Sequence, residues 1–449
     1  MLRNLHEEEN IPEIKVKDID GNPLFRSGVE YSAPARGNWT IAHVSMLIPH
    51  SHQIFVGADG CVRGVVLSAE EFNGLDRFSM ITIKERDVLQ GDMERLFIDG
   101  VTDILKKLPR MPPAVLVYTS CIHHFLACDL DLVYRELRRR FPLVDFIDCY
   151  MNPTMRKSKL TPEENMRRQL YAALEPCRKD PMSVNIIGNC FARDRKSELV
   201  SWLTSSGYTV RDICSCTEYS QYKQMAESSV NIYTIPLAHA GAVELQRRLG
   251  QEALYLPMSF TIEEIRQNLT ALIRRFKLHI VPEKDGEPDF SGQEAAVEAA
   301  LSRAKRVIGD MPIAIDYTAT NRPLGLAALL LSHGFNVIRV YEDLLLPGEE
   351  QALSWLRSNA PDLAVHATVN FRCRTLPRNE AGLYDGHLLA IGQKAAYFTG
   401  TKHLVNLIEN GHLYGYSGIC QLCGMMTDAA EHESDVKRII QIKAWGCCA

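Results

Sequence analysis

Apolar runs of strand length alternate with stretches of helical periodicity along most of the chain. QIFVGA, AVLVYTS, VDFID, SVNIIGN, VNIYTIPLA, PIAIDYTA, NVIRVY and LAVHAT are short and mostly rich in β-branched or aromatic residues, as buried strands are. Between them GDMERLFIDGVTDILKKL, LDLVYRELRRRF, RKSELVSWLTSSG, AGAVELQRRLG and RPLGLAALLLSHG place apolar residues at helical spacing. Several of these stretches end in the glycine that a left-handed helix cap favours. Strand, helix, strand in this rhythm predicts βαβ units and parallel sheets, an α/β fold of doubly wound, Rossmann-like domains.

Two segments break the rhythm. SKLTPEENMRRQLYAALEPCRKDPMS is polar and punctuated by proline, and IVPEKDGEPDFSGQEAAVEAALSRAKR sets a Pro/Gly/acidic loop before an alanine-rich helix. Read as connections, they divide the chain into an N-terminal arm (1–30) and three α/β domains (31–180, 181–300 and 301–449).

Composition narrows the class. With 449 residues, 46% hydrophobic and 23% charged, and a formal net charge of −5, the chain has ample core and no basic field to attract nucleic acid. The opening residues lack the apolar centre of a secretory signal and no run is long enough to span a bilayer, which predicts a cytoplasmic protein without a membrane partner. Thirteen cysteines in such a setting are thiols rather than a disulfide framework. Cys128, Cys149, Cys177 and Cys373 lack ligand-like neighbours and read as buried hydrophobes. Cys61 and Cys121 stand apart: each follows an apolar run at a small-residue turn, where open α/β sheets hold ligands, and two such thiols point to an iron–sulfur cluster.

The chain resembles the nitrogenase component 1 superfamily, from about Tyr31 to Asp428. ERDVLQGDMERL (Glu85 to Leu96) is similar to the family's acid-basic-Asp-x-x-x-Gly-x-x-x-x-Leu segment. Cys61 stands where the second cluster cysteine is expected and Cys121 where the third is, ahead of the acidic pair Asp129 and Asp131. At Ser32 to Pro34, the place of the first cysteine, there is no thiol. The resemblance implies a cluster at a subunit interface. Two thiolates from each half of a dimer make the four that a [4Fe-4S] cluster takes, whereas the family's eight-iron cluster needs six.

Further implications attach to the same resemblance. Pro236 or a neighbour, and Val405 or a neighbour, occupy the places of the cysteine and histidine that hold the large cofactor in the catalytic molybdenum–iron subunit, so dinitrogen is not the expected substrate. His239, His403 and His412 are candidate cavity residues, against the plainer reading of hydrogen-bonded structural histidines. Cys190, Cys214 and Cys216 are further candidate thiols at second-domain strand ends, equally readable as packing. His123 and His124 follow Cys121 and could supply protons or face solvent. Cys420 and Cys423 form a C-x-x-C with no second pair at finger-like spacing, since Cys447 and Cys448 are adjacent; a core-facing pair fits better. Arg36, Arg63 and Arg138 to Arg140 are basic positions for an anionic partner or a solvated face. No G-x-x-x-x-G-K-[ST] loop occurs, nor a G-x-S-x-G elbow or an H-E-x-x-H helix. The resemblance therefore assigns ATP use to a separate iron-protein partner and a small-molecule reduction to this chain. The alternatives are a cofactor-assembly scaffold and a non-catalytic partner subunit.

Overall fold

Continuous apolar runs bury both faces of a strand, as parallel sheets require. In the computed structural model, which describes residues 13–25, 31, 33, 40–71, 73–151 and 160–444, they do so in three sheets. After an N-terminal strand β1 (Glu13–Lys15), the first sheet comprises β2 (His52–Gly57), β3 (Phe78–Thr82), β4 (Ala114–Ser120) and β5 (Asp145–Met151). The second comprises β6 (Asp180–Ile187), β7 (Thr209–Asp212), β8 (Ser228–Tyr233) and β9 (Glu252–Tyr255). A small hairpin of β10 (Glu283–Lys284) and β11 (Glu287–Pro288) precedes the third sheet of β12 (Pro312–Asp316), β13 (Asn336–Tyr341), β14 (Ala364–His366), β15 (Leu389–Ile391) and β16 (His403–Val405).

The strand orders are β3-β2-β4-β5, β7-β6-β8-β9 and β1-β14-β13-β12-β15-β16. All pairings within these sheets are parallel except β1 with β14. Each order reverses once, between β2 and β4, between β6 and β8, and between β12 and β15, and such reversals open a crevice at the carboxyl edge. The fold is α/β and doubly wound. Residues 38–192 with 207–257 form one compact unit, holding the first two sheets. Residues 193–206 and 258–449, with the N-terminal arm, form the other.

The first sheet shows why these residues make these elements. Every residue of β2 and β4 is buried. Ile54, Val56, Val115 and Val117 pack with Phe97, Val101 and Leu105 of the helix Met93–Lys107 and with Val133 and Leu137 of the helix Leu130–Arg140. The alternate residues Phe55, Leu116 and Tyr118 join Ile41, Val44, Val62 and Val65 on the opposite face. Each such side chain contributes about 1.5–3 kcal/mol on burial. Asp92 and Asp129 cap the two helices, accepting the amides of Arg95 at 3.3 Å and Leu132 at 2.9 Å.

Gly188, at the end of β6, lies at φ +86°, and a methyl there would come within 2.1 Å of Ala238 Cβ. Only glycine fits that turn. Among the described residues no helix is long and apolar enough to cross a membrane.

Candidate functional site

Cys121 heads the short helix Cys121–Phe125 directly after β4, and Cys61 lies in the first turn of the helix Asp59–Glu71 after β2. The two strands are hydrogen-bonded neighbours in the register Val56↔Thr119. A methyl on Gly57 would lie 3.3 Å from Ser120 Cβ and 4.0 Å from Cys61 Cβ. Cys61 and the residue before Cys121 thus converge on one point, at the place where the strand order reverses. Cys61 is exposed and Cys121 partly so, and none of the eleven described cysteines is in a disulfide.

Local hydrogen bonds hold this edge. The Thr82 hydroxyl at the end of β3 donates to Asp59 at 3.1 Å, and the Ile83 amide donates to the Gly57 carbonyl at 2.9 Å. The segment Glu85 to Leu96 has a physical reason for its pattern. Asp87 accepts the Lys84 amide at 2.9 Å to start one helix, Gly91 at φ +71° ends it, and Asp92 starts the next. Glu94 then accepts the Asp129 amide at 2.7 Å, which holds its carboxyl below the usual range and ties this segment to the turn that follows Cys121.

The imidazole of His123 is buried and takes the Ser120 amide on Nδ1 at 3.1 Å. Among the described residues its Nε2 has no hydrogen-bond partner, and burial lowers its pKa. His124 stacks on Tyr150, ring centroids 6.3 Å apart. Around the same edge stand large apolar side chains in solvent: Leu89 is 82% exposed, Phe125 70% and Leu126 38%. The sequence reading did not single out this rim. Leu89 and Phe125 carried no signal by themselves, because a lone leucine or phenylalanine in a short helix reads as core.

The second sheet places Cys190 just after β6, buried, with the Arg167 Nη2–H donating to its sulfur at 3.3 Å. Cys214 and Cys216 follow β7; their thiols donate to the carbonyls of Asn189 at 3.3 Å and Asp212 at 3.5 Å. Burial pushes the Cys216 thiol up to about 11. Pro236 opens a short turn after β8, and His239, exposed, begins the next helix with Nδ1 2.9 Å from the Tyr233 hydroxyl.

In the other unit His403 is the first residue of β16, at the amino edge of the third sheet, and its buried Nδ1–H donates to the Ala429 carbonyl at 2.8 Å. Val405 closes that strand. His412 lies in the exposed turn before the helix Gly415–Glu431, its carbonyl accepting the Asp194 amide at 3.2 Å. Cys420 and Cys423 lie within that helix, half-buried and buried, and burial raises both thiols, Cys423 to about 12. Ser32, Pro34, Arg36, Cys447 and Cys448 lie outside the described residues, as does the side chain of Arg63.

Thiolates are the donors that iron–sulfur clusters take, four to a [4Fe-4S] core. Among the described residues no three or more His, Cys, Asp or Glu side chains gather in a metal-holding group. Cys61 and Cys121, both accessible, are two thiols, half of that number.

Comparison with known proteins agrees with this topology. Residues 40–357, well over half of the chain, match the sequence profile of the family "Nitrogenase component 1 type Oxidoreductase". The solved structure "Nitrogenase Cp1 at pH 6.5" superimposes with a TM-score of 0.65 at 14% identity, covering 92% of this chain and 95% of that one. "Nitrogenase Cp1 at pH 5" gives 0.56 at 12% identity, covering 97% and 95%. Identities this low speak for the fold alone. A search of curated proteins gives no match. The chain belongs to the nitrogenase component 1 type oxidoreductase family.

Proposed function

We propose that this chain is the catalytic-component subunit of a nitrogenase-like reductase. It associates through the carboxyl edge of its first sheet with a second copy or a related subunit, and Cys61 and Cys121 supply this chain's thiolates to one shared [4Fe-4S] cluster. The observation that supports it most is that accessible Cys61 and Cys121 and exposed Leu89, Phe125 and Leu126 all lie on the segments that leave the carboxyl ends of β2, β3 and β4. An apolar rim of this kind marks an interface, and covering it would exclude water from the sulfurs.

When bound, such a cluster stores single electrons at low potential. The chain's own contribution is positional. The starts of the two helices fix the thiols, Asp59 and Thr82 pin the β2 end, and the Glu94–Asp129 bond fixes the turn after Cys121. Burial lowers the pKa of His123. A separate ATP-dependent iron protein supplies the electrons, and an unidentified small molecule accepts them. Thirteen cysteines accord with a reducing, cytoplasmic setting.

Anaerobic purification of the full chain, with iron analysis and EPR, tests this reading. A homodimer with about one cluster is expected. In a symmetric pair Cys61→Ser or Cys121→Ser removes two of four thiolates at once, so either variant alone abolishes the cluster while the dimer persists. A cluster that one substitution only weakens favours a heterodimer, with this chain as the partner subunit. A cluster readily passed to an acceptor favours an assembly scaffold. An iron-free monomer favours the partner subunit of a heterodimer, and an iron-free homodimer overturns the shared cluster.

A further inference from the structure

At the amino edge of the first sheet, the segments that lead into its strands surround a cavity of about 610 Å³. His50 and Ser51 precede β2, Asp76 and Arg77 precede β3, residues 108–113 precede β4 and Leu143 precedes β5. The start of the helix Tyr219–Gln224, which follows β7 in the same compact unit, lines the cavity as well. Small organic ligands favour cavities of this size where two layers of a fold join. Leu108, Pro109, Met111, Pro112, Pro113 and Leu143 supply an apolar wall. Met111 is 45% exposed and Leu143 93%. The prolines hold the wall in shape and offer no N–H to a ligand.

The rest of the lining carries charge, and its cations lack anionic partners. Arg77 is partly buried and braces the loop before β2. Its Nε donates to the Ser51 carbonyl at 2.9 Å, and its Nη2 to the carbonyls of Met46 at 3.1 Å and Ile48 at 2.7 Å and to the Ser51 hydroxyl at 2.9 Å. All of these acceptors are neutral. Among the described residues Nη1 has no partner, and no carboxylate lies within ion-pair reach of the guanidinium. A cation withdrawn from water without a counter-charge is costly, and burial lowers the Arg77 pKa accordingly. Arg110, exposed on the same cavity, also has no ion pair among the described residues. Two carboxylates line the cavity too. Asp76 is exposed and acts on Arg77 only through space, and Glu218 lies 3.4 Å from His50 Nε2. The joint itself is pinned, because Asp145 accepts from the Tyr219 hydroxyl and from Lys223 at 3.2 Å.

We propose that this cavity binds a small organic monocarboxylate, its carboxylate on Arg77 and Arg110 and its apolar body against the proline wall. A guanidinium fork matches the two oxygens of a carboxylate, and the ligand supplies the counter-charge that Arg77 lacks. Asp76 and Glu218 repel a second negative charge, which disfavours dicarboxylates and phosphate dianions. The six residues of β2, at about 3.3 Å each, separate the cavity from the edge that carries Cys61. Binding here therefore needs no cluster at the opposite edge.

Calorimetric titration of the full chain with 4-phenylbutyrate, set against its neutral amide 4-phenylbutyramide, reads this directly. The acid is expected to bind with a Kd of about 1 mM or tighter, and the amide about tenfold more weakly or worse. Arg110→Gln and Leu143→Ser alter exposed side chains, so each should keep the wild-type melting temperature while weakening the acid by about threefold or more. Arg77→Lys keeps the charge and loses the fork, and its expected loss of affinity exceeds about tenfold. Because that variant also gives up bonds to the loop before β2, the two exposed variants decide the matter if it does not fold. No binding of the acid up to about 10 mM, equal affinity for acid and amide, or unchanged affinity in both exposed variants overturns the proposal.

Discussion

The first and third sheets reverse their strand order in the same way, yet the crevices at the two reversals differ. At β12/β15 a methyl on Gly392 would lie 2.3 Å from Asp316 Oδ2. That fully buried carboxylate accepts the amides of Ala395 and Thr318, each at 2.7 Å, and the Thr318 hydroxyl. Lys394 stands beside it, bonded to the Tyr317 hydroxyl at 2.6 Å and to the Thr368 hydroxyl at 2.9 Å. The chain's own side chain fills the position an anionic ligand would take. At β2/β4 the corresponding edge offers accessible thiols and an apolar rim. Equal topology thus makes two crevices, and the side chains decide which one remains open to an outside group.

Removing the plug is the strongest way to break this comparison. Asp316→Ala leaves the helix-start amide of Ala395 and the turn amide of Thr318 without an acceptor and a buried ammonium without its counter-charge. The expected loss is about 3–5 kcal/mol, read from chemical denaturation of the full chain. Asp316→Asn keeps the shape and one acceptor and should lose less. If the carboxylate stands in for a ligand, added formate will raise the melting temperature of the alanine variant and leave the wild type unchanged. Equal response of both proteins would refute the idea of an internal ligand.

A smaller effect probes the open crevice. Asp129 caps the helix Leu130–Arg140 and gives its own amide to Glu94. Asp129→Ala removes the cap and keeps the amide, so it should cost about 1 kcal/mol without disturbing Cys121. Hydrogen exchange should quicken in the first turn of that helix while the cluster signal stays. Loss of the cluster in this variant would show that the cap, and not only the Glu94 bond, positions the thiol.

The contrast also explains what could be read from the chain. QIFVGA, AVLVYTS, SVNIIGN and PIAIDYTA announced β2, β4, β6 and β12 because central parallel strands are apolar on both faces. β3, β7 and β9 gave no such signal. They are sheet neighbours of only one strand, and FSMIT, TVRD and EALY are mostly half-exposed. β15 and β16 are buried but only three residues long. The places of Cys61 and Cys121 at the sheet edge were legible because each follows an announced strand at a small-residue turn. Asp316 with Ala395, and Glu349 with Leu324 and Gly325, were not. Their meaning depends on partners brought together by the fold, and an acidic residue after a strand looks the same whether it caps a helix, binds a ligand or faces water.

The smallest expected change in stability belongs to the rim. Phe125 is 70% exposed, so Phe125→Ser should alter the folding free energy of the isolated chain by no more than about 0.5 kcal/mol. If the rim is an interface, the same substitution should raise the dimer dissociation constant by tenfold or more, since a buried aromatic commonly contributes over 1.4 kcal/mol to association. Sedimentation at graded concentrations separates the two quantities. An unchanged dimer with an intact cluster would move the contact away from Phe125, leaving Leu89 to carry it. A monomer that still folds but holds no iron would tie assembly and cluster to the same edge, because neither Cys61 nor Cys121 would have been touched.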